Sequence, residues 1–329
     1  MAANTQKNCS QNTLGLRYNQ ISMKAHFLQS DIWKTFQIEL GRQIIEGTGE
    51  GWSYSGLIEN DRFGKYIYIP YGPFAKNKTS LKRAVNDLKI KAKKAKAYVV
   101  YIEPTPPITP AIASELFTHS GYHRQAHRTI VVDLSPDEET LIANMNATRR
   151  NEHRNYHKKG LVIAKNNTKE AMEAFYELLN VSSREKKFYI RDKLFFDRMF
   201  ETMVQSGNAS LFTAKKDNKI EAAALVYDDD DTRYYAQIGR NLSEASIQAN
   251  GPLISYVIID AKKSGKKFFD LYGISESDNK VDERSGFTAF KKTFGGQIVQ
   301  FAGAWEIPID NKRYHLKKIL TKIKKITTI

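Results

Sequence analysis

Short apolar runs alternate with stretches of helical period along most of this chain. Ala97-Tyr-Val-Val-Tyr-Ile102 has no charged interruption and predicts a central strand. The runs Gly51 to Glu59, Lys65 to Tyr71 and His127 to Leu134 interleave aromatic or β-branched residues and predict further strands. Helical spacing separates them. Ser30 or Asp31 can cap a helix striped by Trp33, Phe36 and Leu40, which Gly41 ends. A strongly basic helix is predicted from Ser80 to Lys96, with Leu81, Val85, Leu88 and Ile90 turned inward, and another from Pro110 to His119. The second half repeats the mixture. Helices are predicted over Lys169 to Arg184, from Phe188 to about Ser206 and over Pro252 to Ser264. Strands are predicted at Ala209 to Lys215, Ile220 to Tyr227 and Arg233 to Ile238, the first two joined by a Lys216-Asp-Asn-Lys219 turn. Alternating β and α segments of this kind build layered α/β or α+β domains.

At 329 residues the chain is long enough for two cores. Its formal charge of +15 points to a polyanionic partner: RNA, an anionic membrane surface or a phosphorylated substrate. Cys9 is the single cysteine, so no internal disulfide, cysteine zinc cluster or iron–sulfur site can form. His153 and His157 have the spacing of a helical metal pair, but no third ligand accompanies them, and neither metal nor cofactor is expected. No run reaches the roughly 18 apolar residues of a membrane span, which predicts a soluble, cytoplasmic chain. The last helix, from about Tyr314, sets Leu316, Ile319, Leu320 and Ile323 on one face and Lys317, Lys318, Lys322, Lys324 and Lys325 on the other. Packing with the lysines outward is the expected arrangement; lying on a membrane surface is the alternative.

Three stretches carry candidate chemistry. Lys267-Phe-Phe-Asp-Leu-Tyr-Gly-Ile274 reads as a buried strand, and Asp270 is an unusual strand residue unless paired or lining a site. After a polar loop from Ser275 to Arg284, Phe287, Phe290 and Phe294 recur at helical spacing beside Lys291 and Lys292, and Gly295-Gly296 closes the helix. A lysine there can hold an anionic or carbonyl group; a solvated lysine face fits the same pattern. The third stretch begins with Ser135-Pro-Asp-Glu138, which has three helix-start signals. It continues into Arg149, Arg150, His153, Arg154, His157, Lys158 and Lys159, with Arg150, Arg154 and Lys158 four apart on one predicted face. The face suits an anion, against the plainer reading of a solvated stripe. Asp228 to Asp231 reads as a solvated acidic turn.

The string Asp270-Leu-Tyr-Gly-Ile274, followed by Gly286-Phe-Thr-Ala-Phe-Lys-Lys-Thr-Phe-Gly-Gly296, resembles the signature of the Fem family (FemABX). Gln29-Ser30, Trp33, Tyr71-Gly72-Pro73, Arg149-Arg150-Asn151, Lys158-Lys159-Gly160 and Trp305-Glu-Ile-Pro308 extend the resemblance over most of the chain. It implies two tandem domains of the acetyltransferase-like (GNAT) fold with mixed central sheets, compact and without the coiled-coil arm of longer members. The domain reading is then a leader over residues 1–20, a first domain over 21–134, a second over 135–302 and a segment over 303–329 that returns to the first.

The resemblance also implies an activity: transfer of an amino acid from aminoacyl-tRNA to a peptide-stem amine of a peptidoglycan precursor, UDP-linked or lipid-linked, by a monomer. Under it Lys291 and Phe290 are central to catalysis, Asp270 orients or deprotonates the acceptor amine, and Arg191 and Lys34 meet substrate phosphate. Tyr235 and Tyr71 line the substrate site, and Arg150, Arg154 and Lys158 contact tRNA. An aminoacyl ester is already activated, so a cation beside the developing oxyanion suffices and no covalent nucleophile is needed. Two rival readings remain. An acyl-CoA N-acyltransferase would share the fold, but Gln237 to Pro252 lacks a glycine-rich pyrophosphate loop. A non-catalytic RNA-binding protein explains the charge and not the end motif.

Overall fold

The computed structural model describes residues 24–121, 123–186, 189–242, 248–276 and 285–327. The expected leader with Cys9, and most of the 275–284 loop, lie outside the described residues. In chain order the elements are α1 (Asp31–Glu39), β1 (Gln43–Gly49), β2 (Trp52–Asp61), β3 (Gly64–Ile69), β4 (Phe74–Ala75), α2 (Lys78–Lys94), β5 (Ala97–Ile102), α3 (Pro110–Ser114), β6 (Thr118–His119) and β7 (Arg128–Asp133). Then follow α4 (Glu138–Asn144), α5 (Ala147–Asn155), β8 (Val162–Lys165), α6 (Lys169–Lys186), α7 (Lys193–Met199), β9 (Ala209–Lys216), β10 (Lys219–Asp228) and β11 (Thr232–Arg240). The chain continues through α8 (Asn250–Lys263), β12 (Phe268–Gly273), α9 (Ser285–Lys292), β13 (Gln297–Gln300), β14 (Trp305–Pro308) and α10 (Asn311–Thr327).

Two compact units result. One takes the chain as far as His127 and again from Gln300; the other is Arg128–Val299. The sequence pattern closed the first domain at Leu134. The strand at 128–133 instead pairs with β12 in the second sheet, so the boundary moves to His127/Arg128. An apolar strand fits either sheet by composition, and its partner is a non-local choice.

The first unit is a mixed sheet ordered β1-β2-β3-β5-β14-β6, with β4 on β2. All six residues of β5 are buried. Against the sheet, α2 turns Leu81, Ala84, Val85, Leu88 and Ala92 inward, and Asn77 and Ser80 close a reciprocal capping box at its start. Ile90, expected inward, is 69% exposed, because it lies about 200° round the helix from Leu88. The predicted helix from Pro110 ends early, at Ser114, and gives way to the short strand β6.

The second unit's sheet is ordered β13-β7-β12-β11-β10-β9-β8. Asp217 and Asn218 both have positive φ in the tight turn between β9 and β10, the conformation a two-residue hairpin requires. The nine buried residues of α8, among them Leu253, Ile254, Val257 and Ile258, lie over this sheet's core.

Three expectations need correction here. The helix predicted from Ser135 onward is two: α4 is capped by Asp137, not Ser135, and α5 by Asn146. After Asn155 the chain tightens into a 3₁₀ turn, Tyr156–Lys159. Lys158 therefore leaves the helix that carries Arg150 and Arg154, and the single three-residue face does not form. The Asp228–Asp231 turn is not merely solvated either. Asp228 receives two hydrogen bonds of 2.8 Å from buried Arg233, its cross-strand neighbour, and Asp260 takes a third at 2.6 Å.

Candidate active site

The candidate site lies in the second unit, where β11 and β12 part. These parallel strands pair only at Thr232–Tyr234 and Phe268–Asp270, although β11 runs on to Arg240 and β12 to Gly273. Beyond that point a bulge interrupts β12 against β7, between Asp270 and Gly273. Tyr272 within it has φ +60°, a left-handed conformation that a non-glycine residue adopts at a cost of order 1 kcal/mol. Strand ends that diverge at their carboxyl side are where open α/β sheets bind ligands.

Lys291 reaches this end from α9. Its side chain is buried, with only 2% of the residue exposed. The ammonium donates to the Gly273 carbonyl at 2.8 Å and the Tyr272 carbonyl at 3.2 Å. It also lies 4.1 Å from the centre of the Phe287 ring and 5.8 Å from that of Tyr235. The ammonium is held in a dry site by carbonyl dipoles and aromatic faces. The apolar stripe expected of α9 is modified accordingly. Phe294 is buried and Phe290 half-buried, whereas Phe287 is exposed and covers Lys291.

Asp270 is fully buried in β12. It accepts hydrogen bonds from the Thr129 hydroxyl and, at 2.7 Å, from the Tyr272 amide. Burial pushes its carboxyl up from the usual 3.8 to about 6, against the opposing pull of those hydrogen bonds and of Lys291. A carboxyl poised there changes charge close to neutral pH, which suits proton transfer. The Tyr272 amide bond ties the carboxylate to the same turn whose carbonyls hold Lys291.

Tyr235 is buried beside this group, next to a register shift on β11, and burial holds its phenol well above its ordinary value. Its hydroxyl has no hydrogen-bond partner among the described residues, and neither has Gln237 Oε1 or Asn250 Oδ1. Orphaned buried polar atoms call for an occupant, whether water or ligand. Phe290 stacks under the Arg149 guanidinium at 5.2 Å and edge-on to Phe294. Arg149, one of the basic cluster between 149 and 159, is buried and paired with Glu152 at 2.7 Å.

The other expected residues stand differently. Arg191 is exposed just before α7, its guanidinium over Tyr189 and Phe195, and it does not join the Lys291 group. Arg150 donates to the Ala143 and Met145 carbonyls at 3.2 and 2.6 Å, closing the end of α4. Arg154 and Lys158 are exposed and make no ion pair among the described residues. In the first unit, Lys34 is paired with Glu46 at 2.7 Å and Asp31 at 3.0 Å, and the Glu46 hydrogen bond raises its pKa. A phosphate there would have to displace Glu46. Tyr71 is buried, and its hydroxyl donates to the Ala126 carbonyl at 2.9 Å.

Thr129, Tyr272, Phe287 and the Arg149–Glu152 pair went unnoticed as site residues in the sequence. Only Tyr272 had a signal there, an aromatic immediately before a glycine at a strand end.

Comparison with known proteins bears on the fold and the family. The chain is 22% identical over 245 residues to the Lipid II:glycine glycyltransferase of Staphylococcus haemolyticus (strain JCSC1435), covering 69% of this chain and 55% of that protein. It thus spans about half the length of that curated relative. Among solved structures, FemX superposes with a TM-score of 0.79 at 17% identity, over 92% of this chain and 98% of that one. A tandem GNAT protein from the clavulanic acid biosynthesis pathway superposes with a TM-score of 0.50 at 11% identity, over 82% and 83% of the two chains. At these identities the likeness is one of fold: two mixed-sheet, GNAT-like units. The FemAB family model matches residues 111–218 and 203–322, which include β11, β12 and the whole of α9. Since that match takes in well over half of its length, the chain belongs to the FemAB family.

Proposed function

We propose that this chain is an aminoacyltransferase that moves an amino acid from aminoacyl-tRNA to the peptide-stem amine of a peptidoglycan precursor. The observation that carries the reading is the buried ammonium of Lys291, held 2.8 Å from the Gly273 carbonyl where β12 ends. In the reaction the acceptor nitrogen attacks the ester carbonyl of the charged tRNA. The new C–N bond forms, and negative charge collects on the carbonyl oxygen opposite Lys291. The C–O bond to the ribose then breaks, and the leaving ribose oxygen takes up, from Asp270, the proton that the amine has shed to it. The proton shed by the attacking amine goes to Asp270, whose pKa of about 6 leaves it ionised, and so able to accept, at neutral pH. Lys291 thus supplies the electrostatic stabilisation and Asp270 the base.

Two further facts support the reading. A relative bears the name Lipid II:glycine glycyltransferase, which favours a lipid-linked acceptor here as well. The charge of +15 suits two polyanionic substrates, with Arg154 and Lys158 outside any ion pair among the described residues and able to meet tRNA phosphates.

The test incubates the purified chain with a mixed pool of charged tRNAs and, separately, the UDP-linked and the lipid-linked precursor, with mass spectrometry of the product. The expected result is a mass increment of one aminoacyl residue on the stem, abolished by ribonuclease. No increment on either precursor, or transfer from an acyl-CoA instead, defeats the proposal.

A further inference from the structure

The C-terminal helix α10 sits on the first unit the wrong way round for an ordinary amphipathic helix. Part of its cationic side, Lys317 and Lys318, turns to the body, while Lys312 and Arg313 stay exposed. Buried Tyr314 donates from its hydroxyl to Glu306 at 2.6 Å, and Lys318 pairs with the same carboxylate at 2.6 Å. Lys317 hydrogen-bonds the Tyr101 hydroxyl and lies over the Tyr98 and Tyr101 rings. The apolar stripe is left outside: Leu316 is 52% exposed, Ile319 58%, Leu320 38% and Ile323 50%. These four lie at i, i+3, i+4 and i+7, one continuous face of the helix.

We infer that α10 is a membrane-docking element that lays Leu316, Ile319 and Leu320 into the interface of an anionic bilayer. Charge selects the occupant. Between Asn311 and Thr327 the sequence has seven lysines or arginines (Lys312, Arg313, Lys317, Lys318, Lys322, Lys324 and Lys325) and no acidic residue. A second copy of the same face would bring like charge against like charge. An RNA would satisfy the cations and leave the apolar stripe in water. An anionic lipid surface meets both needs: headgroup charge for the basic residues, and acyl-chain boundary for leucine and isoleucine. Glu306, buried under the helix and bonded to Tyr314, Lys318 and Ser120, fixes which face points outward. The inference rests on the transfer reading only for its purpose, which is to bring the chain to a lipid-linked acceptor.

Vesicle flotation of the full chain tests it, with phosphatidylglycerol-containing vesicles against pure phosphatidylcholine and with no tRNA or precursor present. The chain should float with the anionic vesicles and bind phosphatidylcholine at least about tenfold more weakly, since each basic residue near an anionic surface contributes about fivefold. The Leu316→Ser/Ile319→Ser/Leu320→Ser variant should lose about tenfold or more in vesicle affinity while keeping its circular dichroism and thermal transition. A second variant, Cys9→Ser/Ile319→Cys carrying a polarity-sensitive dye, should blue-shift on anionic vesicles. Equal flotation of the triple-serine variant, or no dye shift, overturns the inference. So does a purified dimer that the serine substitutions convert to monomer, because a second copy would then cover the stripe. A chain that binds vesicles yet transfers nothing refutes the proposed reaction and leaves the helix assignment standing.

Discussion

Replacing Lys291 by Met is the sharpest perturbation the structure offers, because it keeps most of the side-chain volume and removes only the cation. In the native chain that cation is fixed by the Gly273 carbonyl at 2.8 Å and the Tyr272 carbonyl at 3.2 Å and covered by Phe287. Loss of one preorganised donor to an oxyanion lowers the chemical rate by about 10²- to 10³-fold, or about 2.7–4 kcal/mol. Folding is affected separately. Two carbonyls lose a donor, each worth about 1–3 kcal/mol if left dry, while deletion of a buried charge offsets part of that. The variant should therefore remain folded, with a moderately lowered Tm. The assay is single-turnover aminoacyl transfer at a temperature well below the variant's transition, with precursor affinity measured independently. The rate should fall by the stated factor with affinity nearly unchanged. A second readout is the acid limb of the residual pH–rate profile. Lys291 holds the Asp270 pKa down, so its removal should move that limb upward from about 6. A rate within about fivefold of native, or an acid limb that stays in place, refutes the argument that this ammonium stabilises developing charge.

Four further outcomes follow from named residues. Asp270 has its folded pKa raised from 3.8 to about 6, so the stability it contributes is complete below 3.8 and is lost as pH rises through 6, a swing of about 3 kcal/mol. Asp270→Asn should accordingly gain stability over native between pH 4 and 7 in urea titrations; parallel curves would show that the carboxyl is not perturbed. Gly296→Ala should destabilise by more than about 1 kcal/mol, because φ is +84° and the added Cβ would meet the Val131 carbonyl oxygen at 2.6 Å. Gly286→Ala, in open space on α9, should leave the thermal transition unchanged or raise it. Arg154→Ala and Lys158→Ala should each weaken tRNA binding and lower its salt slope by about 0.7–0.9 for every phosphate no longer neutralised; an unchanged slope removes both residues from the interface.

Local chemistry was legible in the sequence, and pairing choices were not. The Asp217-Asn218 turn announces its hairpin because both residues tolerate positive φ. The six apolar residues of β5 announce a central strand. Asp270 was conspicuous because a carboxylate in a strand demands a partner, and Thr129 and the Tyr272 amide are those partners. What failed was non-local. The run 128–133 gives no hint of which sheet it joins. Arg149 looked like one more surface cation, and only the fold brings Phe290, Phe294 and Glu152 round it. A helical wheel of α10 divides lysines from leucines correctly and cannot say which side faces in; that is decided by Glu306, on a different strand.

The site's parts depend on one another through a single turn. Tyr272 adopts a left-handed conformation that would relax in isolation, and its amide donates to Asp270 at 2.7 Å. That bond holds the bulge in which the carbonyls of Tyr272 and Gly273 meet the Lys291 ammonium. The acid accordingly has two functions: its charge state sets whether a proton can be accepted, and its oxygen maintains the backbone that aims the cation. Protonation would leave the turn in place, because a neutral carboxyl still accepts from an amide through its carbonyl oxygen. The chemistry can therefore switch off at low pH while the geometry survives, so acid inactivation at this site should reverse fully on return to neutral pH.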